Sequence, residues 1–305
     1  MLRHSHTLTK ASAAVARSTG EMATPVHTAR HAPAAVRRAA ANPVVEFLER
    51  VGYVARGILY LVMGSLALGL ALGVGGKATD QSGSLTTLGG GTFGKILLLT
   101  LVVGLAAYSF WGFVRAIFDP LHRGDHPAGI AERLGFAWSG IAYGGLALFA
   151  LELFAGTGRA VSQDSTQSTI TKFFAYPAGG WLVVVIGLVS IAVGLGQFVL
   201  ARKAEFKKDL KREEMSKSQE DFVVGLGQFG FFARGVTFTL VGWFVFQAGL
   251  HRDPSRARGF GGAFVFLLSQ PYGHLLLVVV ALGFVALGLH SFACARWMRL
   301  LGSRR

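Results

Sequence analysis

Few residues in this chain are of types that do chemistry, and those few lie in apolar surroundings. Glu152 stands at the end of a long uncharged run, where a carboxylate could pass a proton or a cation, and His290 lies inside another, where an imidazole could titrate near neutrality. Gln197 and Gln247 add two amides within apolar runs, Arg56 and Arg234 open two such runs, and Asp119 falls at the end of the second helix of the unit that Arg56 opens. Each has a plainer reading. Glu152 suits a watered interface, His290 a hydrogen-bonded interior position, and the two arginines can snorkel their charge to lipid headgroups. The sharper reading for Arg56 is an ion pair with Asp119, with Tyr53 and Tyr60 stacked on its guanidinium at helical spacing.

Gly225, Gly227 and Gly230 spell GxGxxG, but that fingerprint needs a preceding strand and a βαβ unit to bring a helix N-terminus onto a pyrophosphate. The context is missing, so no nucleotide is expected. The chain has no HExxH, no serine–histidine–acid set and no dense metal-ligand spacing. Cys294, the one cysteine, can form neither an intramolecular disulfide nor a thiolate cluster. The expectation is a protein without catalytic residues, metal or cofactor, and not an enzyme.

The elements that position these residues come from a repeat. GYVARGILY at 52–60 returns as GFAWSGIAY at 135–143 and GFFARGVTF at 230–238. Each copy has a glycine followed by an aromatic, a second glycine five on (Gly57, Gly140, Gly235), and an aromatic three beyond (Tyr60, Tyr143, Phe238). Ser139 replaces the arginine in the middle copy, so no role for that arginine is three-fold.

Composition makes the repeat a membrane unit. Over 305 residues the chain is 52% hydrophobic and 15% charged, against about 25% charged in soluble domains. Its mean hydropathy is +0.49. Six nearly uncharged runs stand out, at Gly57–Val74, Ile96–Val114, Leu134–Leu151, Trp181–Ala201, Gly235–Leu250 and Leu275–Ala295. Most reach the roughly 18 residues a helix needs to cross a hydrocarbon core, and they are continuous, not alternating as barrel strands are. The predicted fold is an all-α membrane protein, six transmembrane helices in three parallel two-helix repeats related by a pseudo-three-fold axis.

The net charge of +14 is distributed by topology. Basic residues crowd the N-terminal tail, the second and fourth loops and the C-terminus, which places both termini in the cytoplasm and leaves no charge pattern to assign to nucleic acid. The expected partner is the bilayer itself, with lysines of the fourth loop facing anionic lipid.

The chain divides into a disordered cytoplasmic tail at 1–41, repeat one at 42–120, repeat two at 121–204, a charged linker at 205–221, repeat three at 222–300 and a short tail at 301–305. Asn42 before Pro43 marks the first helix start. The linker RKAEFKKDLKREEMSKSQED reads as a watery extension of the fourth helix, with pairs such as Glu205 and Lys208. Between the two helices of each unit, Leu85 and Leu88, Ile170 and Phe173, and Phe264 and Leu267 mark short half-helices on the outer interface, followed by Gly or Pro breaks at Gly94, Pro177 with Gly179, and Pro271 with Gly273. Gly140 with Gly144, Gly57 with Gly64, and Gly235 with Gly242 are expected to let helices approach closely.

The repeated motif, the run ARGVTF, the segment DPSRARGFGGAFVFLLSQPYGHLLL at 253–277 and the closing AIFDP at 116–120 together resemble the bacterial integral-membrane family named domain of unknown function 1206, over about 46–300. The resemblance implies three units and six helices, and no chemistry. Three function classes follow, in this order: a structural or interaction protein of the bacterial inner membrane is the expected one, a small-solute or ion transporter or channel is the alternative, and a lipid-modifying enzyme comes last. The first two differ in whether intramembrane polar side chains share one site or occupy separate helix contacts.

Overall fold

The computed structural model describes residues 43–119, 124, 127–157 and 165–298; the side chains of 43–45, 91–93, 128 and 165 are not described. The predicted tails at 1–41 and 301–305, and Asn42, lie outside the described residues. Nine α-helices follow in order: α1 (Pro43–Ala71), α2 (Gln81–Leu88), α3 (Gly91–Phe118), α4 (Pro127–Phe154), α5 (Ser165–Phe174), α6 (Gly179–Lys203), α7 (Lys217–His251), α8 (Phe260–Leu268) and α9 (Gly273–Trp297), with no strand among the described residues. The six longer ones, α1, α3, α4, α6, α7 and α9, are long and apolar enough to cross a membrane. Each unit is therefore a long helix, a short helix and a second long helix.

The broadest packing joins units, not the helices within one. Helix α3 packs on α4, α6 on α7, and α9 returns to α1, closing the third unit onto the first. Within units α1 meets α3 and α7 meets α9, whereas α4 and α6 of the middle unit make no comparable contact. Small residues set these approaches because lipid tails provide no hydrophobic force between helices, which leaves close van der Waals fit to hold them. Gly57 lies against the Gly288 carbonyl and Phe292, and Gly64 against the backbone of Ala281 and Val285. Gly140 and Gly144 face Ser109; Gly235 faces Gly194 and Phe198; Gly242 faces Gly187 and Ile191. All six lie at the seams between units.

Several expectations about the connections need correction. The fourth helix is not prolonged into water: it stops at Lys203, where Ala204 takes a left-handed conformation (φ 48°), and two 3-10 turns, Glu205–Asp209 and Arg212–Glu214, follow. The reason is apolar anchoring. Leu210 is buried, Phe206 packs on the rings of Phe231 and His290, and the Lys211 amide donates to the Trp297 carbonyl (2.7 Å). The linker is thus folded onto the end of α9, and Glu205 meets Lys203 (3.9 Å) in place of the Lys208 expected. Helix α7 begins earlier than the linker boundary at 221, at Lys217, because Ser216 and Gln219 form a reciprocal capping box.

The short helices exist but do not lie on the outer interface; they re-enter the bundle. After α1 ends, the Lys77 amide donates to the Leu66 carbonyl (3.2 Å), Ala78 joins the core with Met63 and Ala67, and Gln81 reaches the Tyr60 hydroxyl. That is a return of about 16 Å along α1 at 1.5 Å per residue. In the third unit the Asp253 amide donates to the Ala248 carbonyl, Arg258 lies over the Phe244 ring, and Phe260 meets Phe238 edge-on at 5.2 Å, a descent of about 20 Å along α7. Helix α8 then climbs back, Phe266 packing on Phe244. Gly94 does not break a helix either, since α3 starts at Gly91; the Gly94 Cα instead lies against the Leu88 carbonyl and Gly89, where α2 ends.

Candidate functional site

Arg56 and Arg234 do not snorkel. Each lies at the midpoint of its helix, Arg56 in α1 and Arg234 in α7, and Arg56 is only 8% exposed. Helix α1 starts nine residues before the motif, which carries Arg56 away from the helix end and into the bundle. Its side chain is held from three helices: Nε donates to the Ser291 hydroxyl on α9 (3.2 Å), Nη1 donates to the Tyr108 hydroxyl on α3 (2.5 Å), and the rings of Tyr53, Tyr60 and Tyr108 surround its guanidinium at 5.4–5.8 Å. Ser291 in turn donates to the Leu287 carbonyl. A cation over a desolvated ring is worth up to about 2 kcal/mol, so three rings offset the roughly 3 kcal/mol cost of one arginine at a helix centre.

Arg234 is not compensated in this way. Its Nε is buried with no hydrogen-bond partner, and its contacts are the faces of Tyr60 (6.0 Å) and Phe238 (5.2 Å). Neither Arg56 nor Arg234 makes an ion pair among the described residues. The titratable groups that bear on Arg56 most strongly are Tyr108, Tyr143, Tyr60 and Tyr53, not carboxylates. Both arginines bear on the same two hydroxyls, those of Tyr60 and Tyr143, and the Tyr143 hydroxyl donates to that of Tyr60 (3.0 Å). The motif aromatics of units one and two and the motif arginines of units one and three thus meet at one place.

The short helices open onto the same region. A Cβ on Gly261 would meet the Ala78 carbonyl at 2.8 Å and one on Gly259 would meet Thr166 Oγ1 at 2.5 Å, so the entries to α2, α8 and α5 adjoin one another. All three helices begin deep and run outward, which turns the positive ends of their dipoles inward, roughly half an elementary charge each. The carboxylate at that depth, Asp80, accepts from the Gly83 amide (2.9 Å) as the cap of α2 and makes no ion pair with either arginine.

The ion pair expected between Arg56 and Asp119 is replaced by another. Asp119 ends α3 in a left-handed conformation (φ 43°) and accepts from the Gly124 amide (2.9 Å), too far along the helix to reach Arg56. The intramembrane pair is Glu49 with Arg115, which also donates to the Tyr53 hydroxyl (3.1 Å) and lies over the Tyr53 and Phe136 rings. Arg50 completes this end, paired with Glu46 (2.6 Å) and donating to the Ala295 carbonyl. These groups tie α1 to α3 and α9.

The remaining polar positions do not converge. His290 is satisfied where it stands: Nδ1 donates to the Val223 carbonyl (3.0 Å) and Nε2 lies 3.4 Å from the Cys294 sulfur, with Phe206 and Phe231 edge-on to the ring. Glu152 is exposed at the end of α4. Gln197 and Gln247 each bury an Oε1 without a partner, near opposite ends of the α6–α7 seam. Among the described residues no group of three or more His, Cys, Asp or Glu could hold a metal. The glycines of GxGxxG lie inside α7, where Gly227 admits Phe206 and His290, and Gly230 admits Leu287.

Sequence reasoning found Arg56 and Arg234 but missed Tyr108, Tyr143, Ser291 and the Glu49–Arg115 pair. Tyr143 had a signal, standing at the same motif position as Tyr60; Tyr108, on α3, and the partnering of Arg115 across helices had none.

Fold and site together define a multi-pass, all-helical membrane protein of three tandem units. The chain belongs to the family Domain of Unknown Function (DUF1206), whose pattern matches residues 51–119, 134–204 and 229–298. It is similar to the uncharacterized protein YxxB of Bacillus subtilis (strain 168), 32% identical over 250 residues that cover 82% of this chain and 90% of the relative. No solved structure matches it.

Proposed function

We propose that this chain is a small-solute or ion channel or transporter of the bacterial inner membrane, with both termini in the cytoplasm, and not an enzyme. One observation carries the reading: three re-entrant half-helices adjoin beside two motif arginines and two motif tyrosines at mid-bundle. Irregular backbone at membrane depth is tolerated where it is buried in protein or lines a path, and half-helix termini near the midplane are how many transporters meet their solutes. The shared polar site expected of a conduit is therefore supported, although it is built from residues other than Glu152, Gln197, Gln247 and His290. A scaffold role has its own support in those four, which occupy separate helix contacts. The basic linker and its exposed Lys207 and Lys208 suit a cytoplasmic face against anionic lipid.

Purified protein in liposomes tests the reading against a panel of labelled anions, cations and neutral solutes. Flux above protein-free vesicles for at least one solute is the expected result. A panel with no flux, from protein that remains folded and monodisperse, would return the scaffold reading to first place.

A further inference from the structure

We infer that the meeting point of Arg56, Arg234, Tyr60 and Tyr143 is a binding site for a small oxyanion, a carboxylate or phosphate group; the inference rests on the conduit reading and names its solute class. The geometry supplies donors and positive charge and leaves them without an anion. Both guanidiniums lie about 6 Å from the centre of the same ring, that of Tyr60, so two units each bring a cation to one side chain. Arg234 Nε is buried without an acceptor and its side chain makes no hydrogen bond among the described residues. Arg56 Nε and Nη1 are held by neutral hydroxyls, which fix its fork without neutralising it.

The surroundings favour negative charge from every side. The strongest influences on Arg56 are tyrosines, Asp80 is engaged in capping α2, and Glu49 is held by Arg115 toward the other end of α1. His290, on α9, is turned to Val223 and Cys294. The half-helix entries add their inward positive ends. Guanidinium forks match the paired oxygens of carboxylate and phosphate better than a spherical ion, and the Tyr60 hydroxyl, which accepts from Tyr143, keeps its own proton as a further directional donor. The middle unit supports the same conclusion. Ser139 stands where a third arginine would, so the site holds two fixed cations, which one divalent oxyanion balances and a monovalent one half neutralises.

The test is thermal unfolding of the full chain in a neutral detergent, with sodium formate, acetate or phosphate compared with sodium chloride at equal ionic strength. A rise on the order of 5 °C is expected for at least one oxyanion near 100 times its Kd. Arg234→Gln should lose that rise while unfolding no lower than the parent in chloride, because it removes an uncompensated charge; a merely structural arginine would lower the baseline. Arg115→Gln, outside the site, should lower the baseline and keep the rise. If Arg234→Gln does not accumulate, Arg234→Lys decides, since it keeps the charge and loses the fork: a rise cut several-fold supports the site, an unchanged one overturns it. A second arm compares nanodiscs of phosphatidylcholine and phosphatidylglycerol. Stabilisation by phosphatidylglycerol alone, lost in Arg234→Gln, assigns the site to a lipid headgroup phosphate. No oxyanion or anionic-lipid effect, or equal effects in chloride, overturns the inference. Anion binding without flux refutes the conduit reading and leaves the site standing; flux of neutral solutes without anion binding does the reverse.

Discussion

Removing one partner of the Glu49–Arg115 pair should be far more damaging than removing both. Glu49 is 1% exposed and Arg115 is 7% exposed, so neutralising either takes a buried counter-charge from the other. Breaking a buried pair costs about 3–5 kcal/mol, whereas replacing both partners by neutral groups of similar volume is often near neutral. Glu49→Gln should fall at the upper end, because Arg115 would keep its charge with only neutral acceptors, the Tyr53 hydroxyl and the new amide oxygen. Arg115→Gln also loses the cation over the Tyr53 and Phe136 rings. The double variant Glu49→Gln with Arg115→Gln should recover to within about 1–2 kcal/mol of the parent, a coupling of several kcal/mol. Reversible unfolding in bicelles, with the four proteins compared as a double-mutant cycle, measures this. A double variant as unstable as the sum of the singles would refute the pairing and would mean that each side chain acts through other contacts.

Further outcomes follow from geometry. Gly242→Leu should destabilise by at least about 1–3 kcal/mol, since its Cβ would come within 2.6 Å of the Ile191 backbone nitrogen, whereas Gly196→Leu on the open face of α6 should change the melting temperature little. Glu152→Gln, at an exposed position, should alter stability by less than about 1 kcal/mol and leave any flux unchanged; loss of a pH-dependent flux would place Glu152 on the path. In the loop before α8, the Ser255 hydroxyl and amide, with Arg256, hold the Asp253 carboxyl below the ordinary carboxylate range. Its contribution is then present above a pH of about 4 and lost as pH falls through the lowered value; a carboxyl chemical-shift titration showing a normal midpoint would contradict this. For the proposed orientation, a membrane-impermeant thiol reagent applied to intact cells should label Thr157→Cys and spare Ser218→Cys, both exposed positions, with native Cys294 buried; the reverse pattern would invert the topology.

The large-scale plan was legible because it rests on quantities a sequence carries directly. Uncharged runs long enough to span, and a motif repeated with its glycines in register, fixed six helices and three units. Local physics that depends on what lies across a helix was not legible. Nothing in the sequence near Lys77 or Asp253 says that the chain turns back toward Tyr60 or Phe238, because the backbone partner of Lys77 is a carbonyl in α1 itself. The linker misled for a related reason: Phe206 and Leu210 are two apolar residues among many charges, and their burial against α7 and α9 outweighs the helical charge spacing. Arg56 misled through its position at the start of an uncharged run: the helix start at Pro43 was legible, but not that its early turns are packed inside the bundle, where Glu49 meets Arg115.

Because the broad seams run between units, a single unit separated from the others would expose the faces that α1, α4 and α7 turn to their neighbours. An unfused ancestor of one unit could cover those faces only by associating with two more copies of itself, so the present chain is in effect a homotrimer joined end to end. Identical subunits must change together; joined ones need not. The middle copy has used that freedom, carrying serine in place of arginine and letting its own two long helices part, an asymmetry that three separate copies of one gene product could not have kept.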